Sequence, residues 1–126
     1  MDLLMQANLK LSKRDPVAYE EFMGSFRTGT IQKGEFLVQV GDVCKNLYIV
    51  NEGIFKHFRY KDDGSEYISW FTFKGDLITA FTSFVTQTKS NEGIQAIEDC
   101  EYRYISRERT YSLAEKYHSI ETFFIE

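Results

Sequence analysis

With 126 residues the chain is long enough for one domain with a core of its own, and its 15 basic and 19 acidic residues leave a net charge of −4. That sign excludes a strong non-specific grip on nucleic acid, so any DNA contact would need another module. Cys44 and Cys100 have no Cys or His close in sequence to build a metal knuckle and read as two reduced, partly buried thiols; Met1–Gln6 lacks the basic and apolar regions of a signal peptide, and no apolar run approaches membrane-spanning length, so a cytoplasmic location is expected.

Aromatic residues make up 16% of the chain and recur beside Ile and Val, a composition suited to pleated, half-buried surfaces. Asp15-Pro16 predicts a helix start, because Asp accepts a bond from the first free amides and proline loses nothing at the first helical position. Tyr19, Phe22, Met23 and Phe26 follow at helical spacing as one apolar stripe, and a helical lead-in is placed over residues 10–28. Gly29 and Gly34 bracket a first extended run, Thr30–Lys33. From there turns recur at roughly the ten-residue interval of antiparallel sandwiches and barrels. They fall at Lys33-Gly34, Gly41-Asp42, Asn51-Glu52-Gly53, Asp62-Asp63-Gly64 and Lys74-Gly75-Asp76.

Between these turns the runs Phe36–Val40, Leu47–Val50, Ile54–Tyr60 and Glu66–Phe73 read as strands. Ile54–Tyr60 alternates without a purely apolar face, which fits a strand lining a cavity or lying at a rim. Gly75–Ala96 then interrupts the β pattern as an insert, the kind of segment that carries function. Ile94–Ile97 and Tyr102–Ile105 are two more strands, and Ser106 caps a helix. The reading is mainly β, an antiparallel double-stranded β-helix (jelly roll) over 29–106 with flanking N- and C-terminal helices, the latter over 107–126.

Leu113, Tyr117, Ile120 and Phe124 are spaced four, three, four, which by itself is a coiled-coil seam. Ile120, Phe123, Phe124 and Ile125 crowd large apolar side chains into two turns, predicting an exposed patch that closes a homodimer. The late arginines Arg103, Arg107 and Arg109 alternate with Glu101 and Glu108 and read as a solvated face with little grip on DNA. The chain stops without a capping residue, as a helix that continues would.

Lys33-Gly34-Glu35, Val40-Gly41-Asp42, Leu47–Gly53, Asp63-Gly64, Gly75-Asp76 and Ile105-Ser106 together resemble the glycine skeleton of a cyclic-nucleotide-binding domain of the Crp/Fnr type. The resemblance covers residues 20–126 and implies the effector-sensing and dimerisation half of a transcription regulator. It implies a short helix in the insert whose opening amides meet a cyclic phosphate, a break near Lys116-Tyr117-His118, then the start of a dimer helix. Such a protein reaches DNA through a C-terminal helix-turn-helix, which lies outside this chain.

Nucleotide-binding members place a Gly-Glu pair on the ribose and an Arg-Ser or Arg-Thr pair on the phosphate. Counting without a gap between Gly75-Asp76 and Ile105-Ser106, those positions hold Thr79-Ala80 and Ser90-Asn91, so both diagnostic residues are missing. Lys89 is one position from the absent arginine and, in a strand, would point to the other face. His57, Ser69, Trp70, Ile78 and Phe81 fall where the family lines its cavity, and Trp70 and Phe81 either line that cavity or fill it. The expected pocket is degenerate, for an unidentified small effector or none, with no cofactor. One alternative is a stand-alone cAMP-binding sensor.

A cupin-like enzyme would need a cage of several histidines and a carboxylate, and only His57 and His118 exist. Nor is there a P-loop, a G-x-S-x-G elbow or a Cys-His pair at useful spacing. The reading is therefore not an enzyme. The iron–sulfur branch of the family needs about four cysteines.

Overall fold

A computed structural model describes residues 3–123. Two four-stranded antiparallel sheets carry the fold. In the first, β1 (Arg27–Ile31), β8 (Cys100–Ser106), β3 (Asn46–Glu52) and β6 (Leu77–Ile78) lie in that order; in the second, β2 (Phe36–Val38), β7 (Gly93–Ala96), β4 (Phe55–Tyr60) and β5 (Glu66–Thr72). One apolar core draws on both sheets, with Leu47, Val50 and Ile105 from the first and Phe55, Ile94 and Ala96 from the second. This is the jelly roll with flanking helices that the recurrent turns imply.

The turns supply what the strands cannot. Gly53, between β3 and β4, has φ +95°, and a Cβ there would run into Cys100 Sγ and the Asp99 carbonyl. Only glycine meets both demands, a left-handed backbone and a close approach.

The lead-in differs from the sequence expectation. It begins at Leu3 rather than residue 10, as two helices, α1 (Leu3–Arg14) and α2 (Pro16–Gly24), and β1 opens at Arg27, three residues before the expected run. The apolar face of α1 runs Leu4, Asn8, Leu11, all buried, so a polar residue breaks the stripe that would have announced the helix. Asn8 Oδ1 has no hydrogen-bond partner among the described residues, and its amide lies 3.8 Å from Met23 Sδ. Asp15 caps α2 as its sequence implies, accepting from the Ala18 amide at 3.2 Å.

After β8, α4 (Arg107–Lys116) starts at the Ser106 cap and breaks at Tyr117, whose φ −125° and ψ 110° are extended, before the short α5 (His118–Glu121). The break is tied to α2. Lys116 and Tyr117 both donate to Glu21, at 2.9 and 2.7 Å, and hold its carboxyl below the usual range. Ser119 donates to Asp15 at 2.7 Å.

This packing corrects the proposed seam. Leu113, Ile120 and Phe123 are buried in the chain's own core, and Phe123 meets Phe22 with ring centroids 5.6 Å apart. The extended Tyr117 turns α5 back onto α2, so the apolar residues read as a partner surface close the monomer instead. Phe124 and Ile125 lie outside the described residues.

Candidate functional site

The insert opens with β6 and continues into α3 (Phe81–Thr86). Ile78, Thr79 and Ala80 are buried just before that helix, and Thr79 is turned away from solvent: its hydroxyl donates to the Asn46 carbonyl at 2.9 Å and lies 3.2 Å from Cys44 Sγ. Ala80 is the residue before the first turn of α3 and has no side chain with which to cap it. The helix ends at Gln87 in the left-handed region, φ 56°, where the Gln87 side-chain amide donates to the Cys44 and Phe84 carbonyls.

Both ends of the insert are pinned. Ser83 Oγ accepts from the Cys44 amide at 2.8 Å and donates to the Thr88 carbonyl at 2.5 Å. The Ser90 amide donates to the Asp42 carbonyl at 2.8 Å, and Gly41 returns a bond to the Ser90 carbonyl at 2.7 Å. Between these anchors lies a cleft of about 210 Å³ lined by Ala80–Ser83 on one wall and Lys89–Glu92 on the other.

Lys89 requires a correction. It lines the same cleft as Ser90, because residues around it form only a single bridge, Val43 to Lys89, and not a strand that would alternate its side chains. Ser90 is buried, with its hydroxyl committed to the Glu92 backbone: it donates to the carbonyl at 2.7 Å and accepts from the amide at 3.0 Å. Lys89 makes no ion pair or hydrogen bond through its side chain among the described residues.

Behind Glu92 stands His57, 1% exposed, with Nδ1 3.1 Å from Glu92 Oε1 and Nε2 3.0 Å from Thr72 Oγ1. Trp70, directly opposite His57 across β4 and β5, lies against its ring at 5.3 Å. The Trp70 side chain is nevertheless 54% exposed and Phe81 42%, so neither fills a cavity. They sit at the edge strand and at the exposed first position of α3, where packing stops. Ser69 is exposed too, as the extra residue where the β4–β5 register slips between Trp70 and Ile68. Thr72 and Glu92, the partners of His57, were not legible as site residues. Only the register of the β4–β5 and β4–β7 pairs brings them together.

A second feature links the insert to the C-terminal helices. Arg107 at the start of α4 donates from Nε to the Phe84 carbonyl at 2.9 Å and from a terminal nitrogen to the Val85 carbonyl at 3.0 Å. Its guanidinium also covers the Tyr111 ring at 4.2 Å. Arg103 stacks over Phe26, so Arg107 and Arg103 are tied into the domain, while Arg109 stays on the solvated face and reaches Ser25 and Glu21 there. Arg107→Gln should speed amide exchange in α3 by about ten- to a hundredfold, since a charge-assisted bond to a partly buried carbonyl is worth roughly 1.5–3 kcal/mol. Unchanged exchange rates for Phe84–Gln87 would show that α3 is held by the Ser83 and Gln87 bonds alone.

Among the described residues no three or more His, Cys, Asp or Glu side chains are grouped to hold a metal ion. Nor is any described helix long and apolar enough to cross a membrane.

The profile of the cyclic nucleotide-binding domain matches residues 28–117, most of the chain. The chain belongs to that family. Its sequence relatives are of the Crp/Fnr kind: it is 38% identical over 52 residues to the fumarate and nitrate reduction regulatory protein of Escherichia coli K12, and equally to that of Yersinia pestis. Those 52 residues are 41% of this chain and 21% of either relative, so the chain spans about a fifth of the length of the curated relatives it matches.

The fold of this cyclic nucleotide-binding domain is shared with the catabolite activator protein of Thermus thermophilus, at TM-score 0.79 and 20% identity over 90% of this chain and 53% of that one. It is shared also with the sensor domain of the transcriptional regulator DNR of Pseudomonas aeruginosa, at TM-score 0.75 and 18% identity over 95% of this chain and 79% of that one. A third neighbour is the regulatory subunit of a cAMP-independent protein kinase A from Trypanosoma brucei, at TM-score 0.73 and 19% identity over 89% of this chain and 41% of that one.

Proposed function

We propose that this domain senses a small effector for a Crp/Fnr-type transcription regulator, through a cleft that has lost the residues for tight cyclic-nucleotide binding. The observation that carries the reading is the cleft beside α3. It occupies the insert that the family uses for the cyclic phosphate, yet its key positions are Ala80, without a carboxylate, and Ser90, without a guanidinium and with its hydroxyl spent on Glu92. Lys89 and Glu92 are the two charged residues that line the cleft, and together they suit a small polar effector. Arg107, bonded to the Phe84 and Val85 carbonyls, then carries a displacement of α3 to α4. The domain does no chemistry and acts in the cytoplasm.

The regulator works as a homodimer. Since Ile120 and Phe123 are spent in the core, the apolar contact comes from the edge strand β5 and its end, where Phe71 and Phe73 are 44% and 52% exposed. Phe71→Asp with Phe73→Asp should give a folded monomer by analytical ultracentrifugation, while the unmutated chain sediments as a dimer. A monomeric unmutated chain would remove β5 as the seam.

DNA is reached through a helix-turn-helix beyond these residues. At physiological salt the 126-residue chain should give no gel retardation of promoter DNA, because its net charge is −4 and its late arginines are bonded within the domain. Specific nanomolar retardation by this chain alone would overturn the sensor reading.

A further inference from the structure

The cleft beside α3 carries one charge of each sign, and the two do not meet. Lys89 and Glu92 stand on the same wall, yet no ion pair joins them among the described residues. Taking this cleft as the effector site, we infer that it binds a small zwitterion of the α-amino-acid class, with the ligand's carboxylate on Lys89 and its ammonium on Glu92.

Glu92 is aimed by buried groups. Its Oε1 lies 3.1 Å from His57 Nδ1, and the other ring nitrogen lies 3.0 Å from Thr72 Oγ1, so the imidazole is gripped from both sides. An ionised carboxylate only accepts, so Nδ1 donates to Glu92, and the Thr72 hydroxyl serves Nε2 as donor to a neutral ring or acceptor from a charged one. The His57 side chain is buried and that of Glu92 is 25% exposed, which fixes one end of the contact in the core while the other reaches the cleft. Glu92 Oε2 makes no hydrogen bond or ion pair among the described residues. The Glu92 backbone is held as well, by the two bonds to the Ser90 hydroxyl. His57 is therefore a positioning residue for the carboxylate.

Size and charge narrow the ligand together. At about 210 Å³ the cleft is smaller than the roughly 300–1,000 Å³ of sites for drug-sized ligands, so a compact molecule fits it best. A simple anion would answer Lys89 and leave the Glu92 carboxylate facing a like charge; a simple cation would do the reverse. An α-amino acid answers both. The facing wall, Ala80–Ser83, offers the part-exposed Phe81 ring to an apolar side chain of the ligand.

Amide NMR titrations of the whole chain with each of the protein α-amino acids test this. Any that binds is compared with its N-acetyl form, which keeps only the carboxylate, and its methyl ester, which keeps only the ammonium. At least one amino acid should give saturable shifts at Ala80–Ser83 and Lys89–Glu92, and both singly charged forms should bind about tenfold more weakly or worse. Glu92→Gln keeps an acceptor for His57 Nδ1 and loses the charge, so it should erase the preference for the amino acid over its N-acetyl form. Lys89→Gln should erase the preference over the methyl ester. A loss spread equally over all three ligands in either variant would mark a structural role and overturn the inference. No shifts from any amino acid overturn it too, and so does an N-acetyl form or ester that binds as tightly, which leaves the cleft as an effector site for a singly charged ligand. Amino-acid shifts that avoid the cleft overturn the effector site along with the zwitterion.

Discussion

Ile120→Asp should unfold the domain. Ile120 has no exposed surface and belongs to the core that α5 closes over α2. Truncating such a side chain to alanine costs about 2–5 kcal/mol. A carboxylate in its place is either desolvated or protonated at a further cost, which puts the total above ~4 kcal/mol, within reach of the whole stability of an ordinary domain. Circular dichroism should show no cooperative thermal transition for Ile120→Asp and a clearly lowered midpoint for Ile120→Ala. A folded Ile120→Asp monomer with the parent melting temperature would mean that Ile120 is a partner-facing residue after all, and that the turn at Tyr117 is not the one described.

Titration calorimetry of the unmutated chain with cAMP or cGMP should detect no micromolar binding, and Ala80→Glu with Ser90→Arg should raise the affinity by about two to four decades. Each restored partner counts as one charge-assisted bond of roughly 1.5–3 kcal/mol, at about 1.4 kcal/mol per decade. The anion needs the Ser90→Arg change most, since a desolvated phosphate without its cation loses more than one bond. The guanidinium must also displace the bonds that Ser90 makes to the Glu92 backbone, so the gain should fall toward the lower end. Ser90→Arg alone should give the larger share of the logarithmic gain and Ala80→Glu alone the smaller. Micromolar binding by the unmutated chain would show that Lys89 already supplies the missing cation. No gain in the double variant, with its fold intact, would show that the cleft does not admit the ring.

Local chemistry was legible wherever it does not depend on a distant partner. The Asp15 and Ser106 caps and the turn glycines follow from backbone geometry within a few residues, and each stands where the sequence put it. Which side chains stand at positions 80 and 90 is likewise read from the sequence alone. What the sequence could not decide is which way an ambiguous side chain faces. Asn8 disguised α1 because its burial depends on Met23, fifteen residues on. Lys89 reached the cleft because the segment around it pairs at one residue only. Ile120 and Phe123 carry the same apolar chemistry whether they meet α2 or a second chain, and only the turn at Tyr117, held by Glu21 from the other end of the sequence, sends them inward. Arg107 looked like one charge among several until the carbonyls of α3 lay beside it. In each case apolar burial and charge fix how strongly a side chain interacts, while the long-range register of the jelly roll fixes what it interacts with.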